Sequence, residues 1–249
     1  MQLIIFEFYK TDNLSDDMVV GNGLIAKTFQ DYKTKNDFLI FASGVSDSKS
    51  GNKNDFDREH NLLLKSIHEN PGKKVIYFST SSIFDTDLKE TPYAKHKLNL
   101  ENLIKQNVSR YNIFRLSNLA GFSNNPNTIL NFFYFHIVQG SHFDLWKNSE
   151  RNIIDVEDAY RVINYALEND LFKNEIVNIA NTNNYPVNYI VNAIEAFVNK
   201  QAIFTEKEKG AKISIDISRV KPLLELLKIE FEQNYLSRLL VKYYPKHDL

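Results

Sequence analysis

The chain has 249 residues, of which 43% are hydrophobic and 24% are charged, so it can bury a full core as one domain or as one domain with a small lobe. Its formal net charge of -1 gives no general attraction for nucleic acids or anionic membranes. Because cysteine is absent and the six histidines show no close ligand pair, disulfides, thiolate catalysis and cysteine-ligated zinc are excluded, and no metal site is expected.

The first residues, Met1 to Tyr9, are mostly apolar but carry Glu7 and lack the basic start of a secretion signal. The run is too short to cross a bilayer, and no other run approaches 18 apolar residues. We therefore expect this segment to add a strand to a sheet edge, and we expect a soluble, cytoplasmic protein.

A short apolar strand from Met18 to Val20 leads into the pattern Gly21-x-Gly23-x-x-Ala26, and a helical pattern follows over 24–32. Glycines in such a turn let the backbone approach a pyrophosphate, whose charge is favoured at a helix N-terminus. The pattern alone is weak, because a Gly-Asn-Gly turn into a helix is as often purely structural. Together with the motif described below, it predicts a dinucleotide-binding turn made of Gly21, Asn22, Gly23, Leu24 and Ile25.

The next elements alternate in type, which is typical of an α/β fold. Strands are predicted over 37–42, 74–79 and 111–116, and helices over 55–69, capped by Asp55, and over 93–107. Alternation of this kind indicates a doubly wound, Rossmann-like parallel sheet. The polar segment 45–54 is predicted to be a loop, either a simple exposed connection or a lid over the site.

Hydroxyl side chains follow the apolar strand 74–79, at the end of a strand where α/β sheets bind their ligands. Thr91-Pro92 then supplies a helix cap and a first helical residue, so Tyr93 and Lys97 lie four residues apart on one helix face. An ammonium close to a phenol lowers the pKa of the phenol from about 10, which makes a proton donor or acceptor usable near neutral pH. A hydroxyl such as Thr80 could hold a substrate oxygen beside it.

The Tyr-x-x-x-Lys pattern also occurs by chance in many helices. Lys97, however, falls in line with Leu100 and Ile104, so we expect it to be buried rather than simply solvated. Further helices are predicted over 128–140, 187–199, 220–226 and 232–244. The aromatic run from Asn131 to His136 is interpreted as core packing rather than as a base-stacking surface.

Taken together, these motifs resemble those of the extended short-chain dehydrogenase/reductases, and specifically of the NAD-dependent epimerase/dehydratases that act on nucleotide sugars. The resemblance covers about residues 18 to 180. The segments that carry it are Gly21-x-Gly23-x-x-Ala26, Phe41 to Gly44, Asn61, Ser79 to Phe84, Tyr93-x-x-x-Lys97, Arg115 to Gly121 and Arg151 to Asp158.

The resemblance implies roles for individual residues. Thr80 would hold the reacting oxygen, Tyr93 would be the general acid and base, and Lys97 would lower the pKa of Tyr93 and bond the nicotinamide ribose. Arg151 would grip the diphosphate of the substrate, and Asp158 would cap or brace the following helix. The remaining implied contacts to NAD or NADP are Ala42, Ser43, Gly44, Ser79, Leu116 and Asn118, and those to the substrate are Ser81, Ser82 and Asn118.

The resemblance also implies a domain plan and partners. A nucleotide-binding part would comprise 1–121 together with 151–180, and a small substrate lobe would comprise 122–150 and 181–249. Helices 55–69 and 93–107 would pair across a homodimer through Leu62, Leu63, Leu100 and Leu103.

Three departures from the family pattern bear on function. After the first helix the chain lacks two βα units, so the strand whose terminal acid would hold the adenosine ribose is missing, and NAD and NADP cannot be distinguished. Ser81-Ser82 stands where sugar 4,6-dehydratases carry Asp-Glu, which disfavours dehydration. The interval from Thr80 to Tyr93 is also short, so we expect a more open or differently closed pocket mouth.

The expected function is therefore that of an NAD(P)-dependent nucleotide-sugar 4-keto reductase or epimerase, with surface polysaccharide synthesis as the implied pathway. The alternative is a catalytically inactive binding or regulatory protein that keeps the dehydrogenase fold.

Overall fold

The computed structural model describes residues 18–48 and 50–245. The strand expected over Met1–Tyr9 lies outside the described residues. The strands are β1 (Val19–Val20), β2 (Phe38–Phe41), β3 (Lys74–Thr80), β4 (Tyr111–Leu116), β5 (Asn118–Ala120), β6 (Phe143–Trp146), β7 (Glu150–Asp155), β8 (Glu175–Ile179), β9 (Asn184–Pro186) and β10 (Phe204–Lys207). The α-helices are α1 (Leu24–Thr28), α2 (Lys53–Glu69), α3 (Pro92–Asn107), α4 (Ile129–Gln139), α5 (Val156–Glu168), α6 (Val187–Val198), α7 (Lys221–Leu226) and α8 (Tyr235–Tyr243).

The central sheet has five strands in the order β1-β2-β3-β4-β8, and each neighbouring pair is parallel. The α/β fold with a Rossmann-like parallel sheet is thus confirmed. Within the described residues β1 is an edge strand, and β2 is its single partner. The absence of sheet beyond β1 in this part of the chain agrees with the two missing βα units.

Local chemistry sets the helix boundaries. Thr91 caps α3 as predicted, because its hydroxyl accepts a hydrogen bond from the Ala94 amide at 3.2 Å. The prediction that Asp55 caps α2 was wrong, since Asn52 accepts from the Asn54 amide at 3.0 Å and the helix begins at Lys53. The first helix is shorter than expected, because its last turn tightens into a 3-10 helix at Gln30–Tyr32.

Helices cover both faces of the sheet. Alternate strand residues point to opposite faces, so Phe114 packs with α1 and α5, whereas Ile113 packs with α2 and α3. Successive strands from β1 to β4 step in one direction across the sheet, yet α1 lies on the opposite face from α2 and α3. The β1–α1–β2 crossover therefore has the opposite hand to the next two. This reversed hand is expected of a chain in which α1 keeps its usual position but the two βα units that would follow it are absent.

A second hydrophobic cluster brings together α4, α6, α8 and β6, and β10 pairs in parallel with β6. Phe133 and Tyr134 of the aromatic run are buried in it. The division of the chain into a nucleotide-binding part and a substrate lobe stays a prediction. In the described part of the chain, no helix is both long and apolar enough to cross a bilayer.

The dimer prediction needs a correction in its details. Leu63 and Leu100 are fully buried beneath the central sheet, so they stabilise the core and cannot form a surface for a second subunit. Leu62 and Leu103 are only partly buried, and Leu64 is exposed. Of the four leucines predicted to pair, Leu62 and Leu103 remain available for a contact through α2 and α3, and the exposed Leu64 adds to them.

Candidate functional site

A cavity of about 750 Å³ lies at the carboxyl ends of the central strands. This volume falls within the range of small-molecule sites. Every residue predicted to bind cofactor or substrate lines it, except Gly21. The lining residues from that prediction are Asn22, Gly23, Leu24, Ile25, Ala42, Ser43, Gly44, Ser79, Thr80, Ser81, Ser82, Tyr93, Lys97, Leu116, Asn118 and Arg151.

Gly21 shapes the cavity without lining it. Its φ of +128° is accessible to glycine but strained for other residues, and a Cβ built there would lie 2.5 Å from the Ala42 carbonyl oxygen. Glycine at this position therefore lets the turn after β1 lie directly against the strand end of β2. The two backbone segments predicted to hold the cofactor are brought side by side in this way.

Gly21→Ala should destabilise this turn and weaken cofactor binding. We expect a loss of about 1–3 kcal/mol in the free energy of unfolding from the strained backbone, together with a weaker affinity for NADH. Gly51→Ala is the matched control, because a Cβ at Gly51 would have nothing within 4 Å. Urea unfolding and fluorescence titration check both variants, and equal behaviour of the two would contradict the role assigned to Gly21.

The hydroxyl cluster after β3 is largely engaged with its own neighbours. Thr80 accepts from the Ser82 amide and donates to the Ser82 hydroxyl, both at 3.0 Å. Ser79 donates to Glu101 at 2.6 Å, and Glu101 also holds Arg115 through two hydrogen bonds of 2.8 and 2.6 Å. The Thr80 hydroxyl is thus fixed at the cavity wall, whereas the Ser79 hydroxyl is directed at Glu101.

Tyr93 and Lys97 lie together on the buried face of α3, as their spacing predicts. Lys97 is 3% exposed, and its ammonium lies 5.8 Å from the centre of the Tyr93 ring. The same ammonium donates to Glu59 at 2.8 Å and to the Tyr77 hydroxyl at 3.2 Å. Sequence reasoning did not anticipate that the lysine would be paired with a carboxylate.

The Glu59 carboxylate is fully buried and accepts four hydrogen bonds. Besides Lys97, its donors are the Tyr77 hydroxyl, the Val45 amide and the His96 ring at 3.1 Å. Burial alone would raise the pKa of this carboxyl, but the charge of Lys97 and the hydrogen bonds outweigh burial and hold the pKa at about 2. Burial and Glu59 raise the pKa of Tyr77, so its hydroxyl remains a donor.

Arg151 lies on the opposite wall and is also paired. It donates to Asp85 at 3.2 Å and to the Glu150 carbonyl at 2.8 Å. Burial lowers the pKa of Arg151, while Asp85 and Asp87 act in the opposite direction. Arg151 is therefore a charged group held at the wall of the cavity, suited to an anionic ligand.

Several lining residues were not predicted. The Ser117 and Ser149 hydroxyls are buried, and neither has a hydrogen-bond partner within 18–48 or 50–245. Arg58 donates to the Ser43 hydroxyl at 3.3 Å, and Trp146 lies on the wall formed by β6. Ser117 could have been found, because it directly precedes Asn118 at a strand end, but the side chain of Trp146 reaches the cavity only through tertiary packing.

Residues 45–48, at the start of the predicted loop, border the cavity. Ser46 accepts a hydrogen bond from Asn125 at 3.0 Å, which joins this loop to the segment after Gly121. Asn118 donates to the Asn152 carbonyl at 2.8 Å. These two hydrogen bonds thus tie together segments that border the site.

Asp158 does not cap α5, because Asp155 accepts from the Glu157 amide and is the cap. Asp158 instead accepts from Tyr235 at 2.8 Å, and Asp155 is held by Tyr243 and Lys242 of α8. Both carboxylates thus brace the C-terminal helix against α5. The expectation of a structural role for Asp158 agrees with this arrangement.

The residues present fit a dinucleotide at its pyrophosphate and nicotinamide halves. Backbone approaches closely where Gly21 and Gly44 lack a Cβ, and the buried Ser117 hydroxyl provides an unused polar atom at the wall. On the adenosine side, the described sheet ends at β1. Within the described residues, the groups that could hold a cofactor therefore converge around Gly23, Ser43 and Lys97.

A family model described as the NAD dependent epimerase/dehydratase family matches residues 25–180, which is more than half of the chain. No curated protein matches in sequence.

Solved structures share the fold at low identity. A UDP-glucose 4-epimerase from Thermotoga maritima, solved with UDP-glucose, is 18% identical with a TM-score of 0.61, over 75% of this chain and 70% of that one. A UDP-glucose 4-epimerase from Thermus thermophilus, solved with NAD, is 13% identical with a TM-score of 0.65, over 86% and 80%. A UDP-glucuronic acid 4-epimerase from Bacillus cereus, solved with UDP-glucuronic acid and NAD, is 18% identical with a TM-score of 0.63, over 90% and 77%.

Proposed function

Because the chain belongs to the NAD-dependent epimerase/dehydratase family of short-chain dehydrogenase/reductase enzymes, we propose that it binds NAD and acts on a nucleotide-linked sugar. The observation that carries the proposal is the convergence of the glycine turn, Thr80, Tyr93, Lys97 and Arg151 on one cavity. The solved relatives with UDP-sugars or NAD support the choice of ligands.

The proposed chemistry needs a group that exchanges protons at a sugar oxygen. Bound NAD would supply the acceptor and donor of hydride. Tyr93 would take the proton from the sugar hydroxyl during oxidation and return one to the carbonyl oxygen during reduction. Thr80, whose oxygen is held by the Ser82 amide, would turn its proton from the Ser82 hydroxyl to the same sugar oxygen as charge develops there. Lys97 would carry positive charge beside Tyr93 and the ribose.

Arg151 would bind the diphosphate of the substrate, since a guanidinium matches the geometry of phosphate oxygens. Its contact with Asp85 leaves it oriented at the cavity wall before substrate arrives. This arrangement would place the sugar between Thr80 and Tyr93.

Of the reactions in this family, epimerisation and 4-keto reduction suit the site best. Ser81 and Ser82 follow Thr80, so the position where 4,6-dehydratases carry an Asp-Glu pair offers no carboxylate. The two reactions differ in their use of cofactor, because a reductase consumes NADH or NADPH stoichiometrically and an epimerase does not.

Turnover tests the proposal directly. Purified protein would be incubated with UDP-, dTDP-, GDP- and CDP-sugars in the presence of NAD, and proton NMR would follow the anomeric signals. Oxidation of NADH or NADPH at 340 nm would be measured with 4-keto sugars. Conversion of any of these substrates that is lost in Tyr93→Phe supports the proposal; conversion that persists in that variant contradicts it.

A second candidate is a non-catalytic binding or regulatory protein. Two observations favour it: the described sheet ends at β1, and Glu59 and Tyr77 already hold the Lys97 ammonium. Under this candidate the protein would bind a nucleotide sugar or cofactor without converting any sugar. The retention of Thr80 and Tyr93 at one cavity argues for the enzyme.

We also propose that the protein forms a homodimer through α2 and α3, acts in the cytoplasm and serves surface polysaccharide synthesis. Light scattering tests the dimer, because one chain has a mass of 29.0 kDa and a dimer twice that. A 29.0 kDa particle at micromolar concentration would exclude it.

A further inference from the structure

Glu59 of α2 accepts four hydrogen bonds, which come from α3, from β3 and from the loop after β2. Its Oε1 accepts from Lys97 of α3 at 2.8 Å and from Tyr77 of β3 at 2.9 Å. Its Oε2 accepts from His96 of α3 at 3.1 Å and from the Val45 amide, after β2, at 2.8 Å. A single carboxylate on α2 thus fixes the lysine, the strand beside it and the loop that borders the cavity.

The loop rests directly on this ion pair. A Cβ at Gly44 would lie 2.6 Å from the Lys97 ammonium and 3.0 Å from the Glu59 carboxylate. Any side chain at this position would therefore displace the pair or the loop. The contact joins a predicted cofactor-binding segment to the charge that faces Tyr93.

The charged and titratable groups around Glu59 are few. Lys97 and His96 face it from α3, Tyr77 faces it from β3, and Tyr93 lies beyond Lys97. Glu101, the next carboxylate along α3, is occupied by Ser79 and Arg115. On its own helix, the adjacent Arg58 reaches to the Ser43 hydroxyl instead.

We propose that Glu59 is a positioning residue that fixes the Lys97 ammonium beside Tyr93 and offsets its charge; this rests on the proposed function of that pair. The Lys97 ammonium and the Glu59 carboxylate, 2.8 Å apart, together form a dipole. The field of a dipole falls more steeply with distance than the field of a lone charge, so Tyr93 experiences less positive potential than an unpaired Lys97 would produce. Removing the negative charge of Glu59 would therefore leave the full charge of Lys97 to act on Tyr93.

The test is a titration that needs no substrate. Tyrosine labelled with ¹³C at Cζ and lysine labelled with ¹⁵N at Nζ would be followed by NMR from neutral to alkaline pH, with Tyr93→Phe and a Lys97 variant to assign the signals. In Glu59→Gln the first proton should leave the Tyr93–Lys97 pair at lower pH, with an ionisation constant at least about threefold larger than in the wild type. Tyr77→Phe is the control for charge, since it removes the hydrogen bonds that the Tyr77 hydroxyl donates to Glu59 and accepts from Lys97 but removes no charge, and it should shift the constant by less.

Glu59→Gln leaves a buried ammonium unpaired and could prevent folding, so Glu59→Gln/Lys97→Met provides a second measurement. If Glu59 offsets most of the charge of Lys97, removing both should leave the ionisation constant of Tyr93 within about threefold of the wild type. Glu59→Asp, which keeps the charge, should restore the wild-type titration. The proposal would be overturned if the first proton left the Tyr93–Lys97 pair of Glu59→Gln at the same pH as in the wild type. It would also be overturned if the ionisation constant of Tyr93 in the double variant were more than tenfold smaller than in the wild type.

These outcomes are separate from those that test the enzyme itself. Turnover that persists in Tyr93→Phe would overturn the proposed function while leaving the titration of the pair interpretable. A missing shift in Glu59→Gln, with turnover abolished in Tyr93→Phe, would overturn only the role of Glu59.

Discussion

Tyr93→Phe should lower kcat by about 10²–10⁴-fold, the usual contribution of a positioned general acid or base. The ring would still pack beside Lys97, because only the hydroxyl is lost, so the fold and the affinity for cofactor should stay close to those of the wild type. Steady-state rates with a converted nucleotide sugar, together with a cofactor titration, measure the two effects separately.

Tyr189→Phe is the control for this variant. Tyr189 is 42% exposed on α6, and its hydroxyl makes a single long hydrogen bond to the Gln233 carbonyl. It should retain full activity. Near wild-type turnover in Tyr93→Phe would show that another group transfers the proton.

Lys97→Met should strongly destabilise the fold. It removes the cation from a pair in which both side chains are almost fully buried, leaving Glu59 uncompensated. Breaking such a pair costs about 3–5 kcal/mol in the free energy of unfolding. Urea denaturation at neutral pH measures this loss.

Two variants make the test specific. Lys95→Met, two residues earlier on α3, removes an exposed lysine that pairs with exposed Glu90, and should change stability by less than about 0.5 kcal/mol. The double variant Glu59→Gln/Lys97→Met leaves no unpaired charge and should regain much of the stability lost in Lys97→Met. If Lys97→Met were as stable as Lys95→Met, the ion pair would not stabilise the fold.

The parts of the site that depend on local spacing could be predicted from the sequence. Tyr93 and Lys97 share a helix face because four residues separate them, and Thr91-Pro92 fixes where that helix begins. The strand predicted over 111–116 has the observed bounds of β4. In these segments the secondary-structure propensity of the residues, their hydrophobic pattern and the tertiary packing all favour the same element.

The missed features depend on which residue of a polar run faces inward. Glu59 lies in a helix with polar neighbours on both sides, where a carboxylate is most often a solvated group. The buried Lys97 across from it makes it a core residue. Similarly, Asn52 and Asp55 both have side chains that suit the N-cap position, and the sequence alone does not show after which of them the helix begins. Leu63 was assigned to a dimer surface because adjacent leucines cannot be ranked without the sheet beneath them.

The sheet raises a separate question about the cofactor. The opposite hand of the β1–α1–β2 crossover shows that α1 keeps a position from which a chain would ordinarily continue to strands beyond β1. Without those strands in the described part of the chain, the adenosine end of a bound dinucleotide would have fewer contacts there than the nicotinamide end. Cofactor affinity is therefore the property on which the enzymatic account depends most.

Titration with NADH and NADPH tests that property most directly. Trp146 is the single tryptophan of the chain and lines the cavity, so quenching of its fluorescence and energy transfer to the nicotinamide report binding at the site itself. We predict saturable binding of one form with a Kd on the order of 1–10 μM, confirmed by calorimetry and weakened in Gly21→Ala but not in Gly51→Ala. An absence of quenching and heat with both forms up to about 1 mM would contradict the account and favour a non-catalytic binding protein.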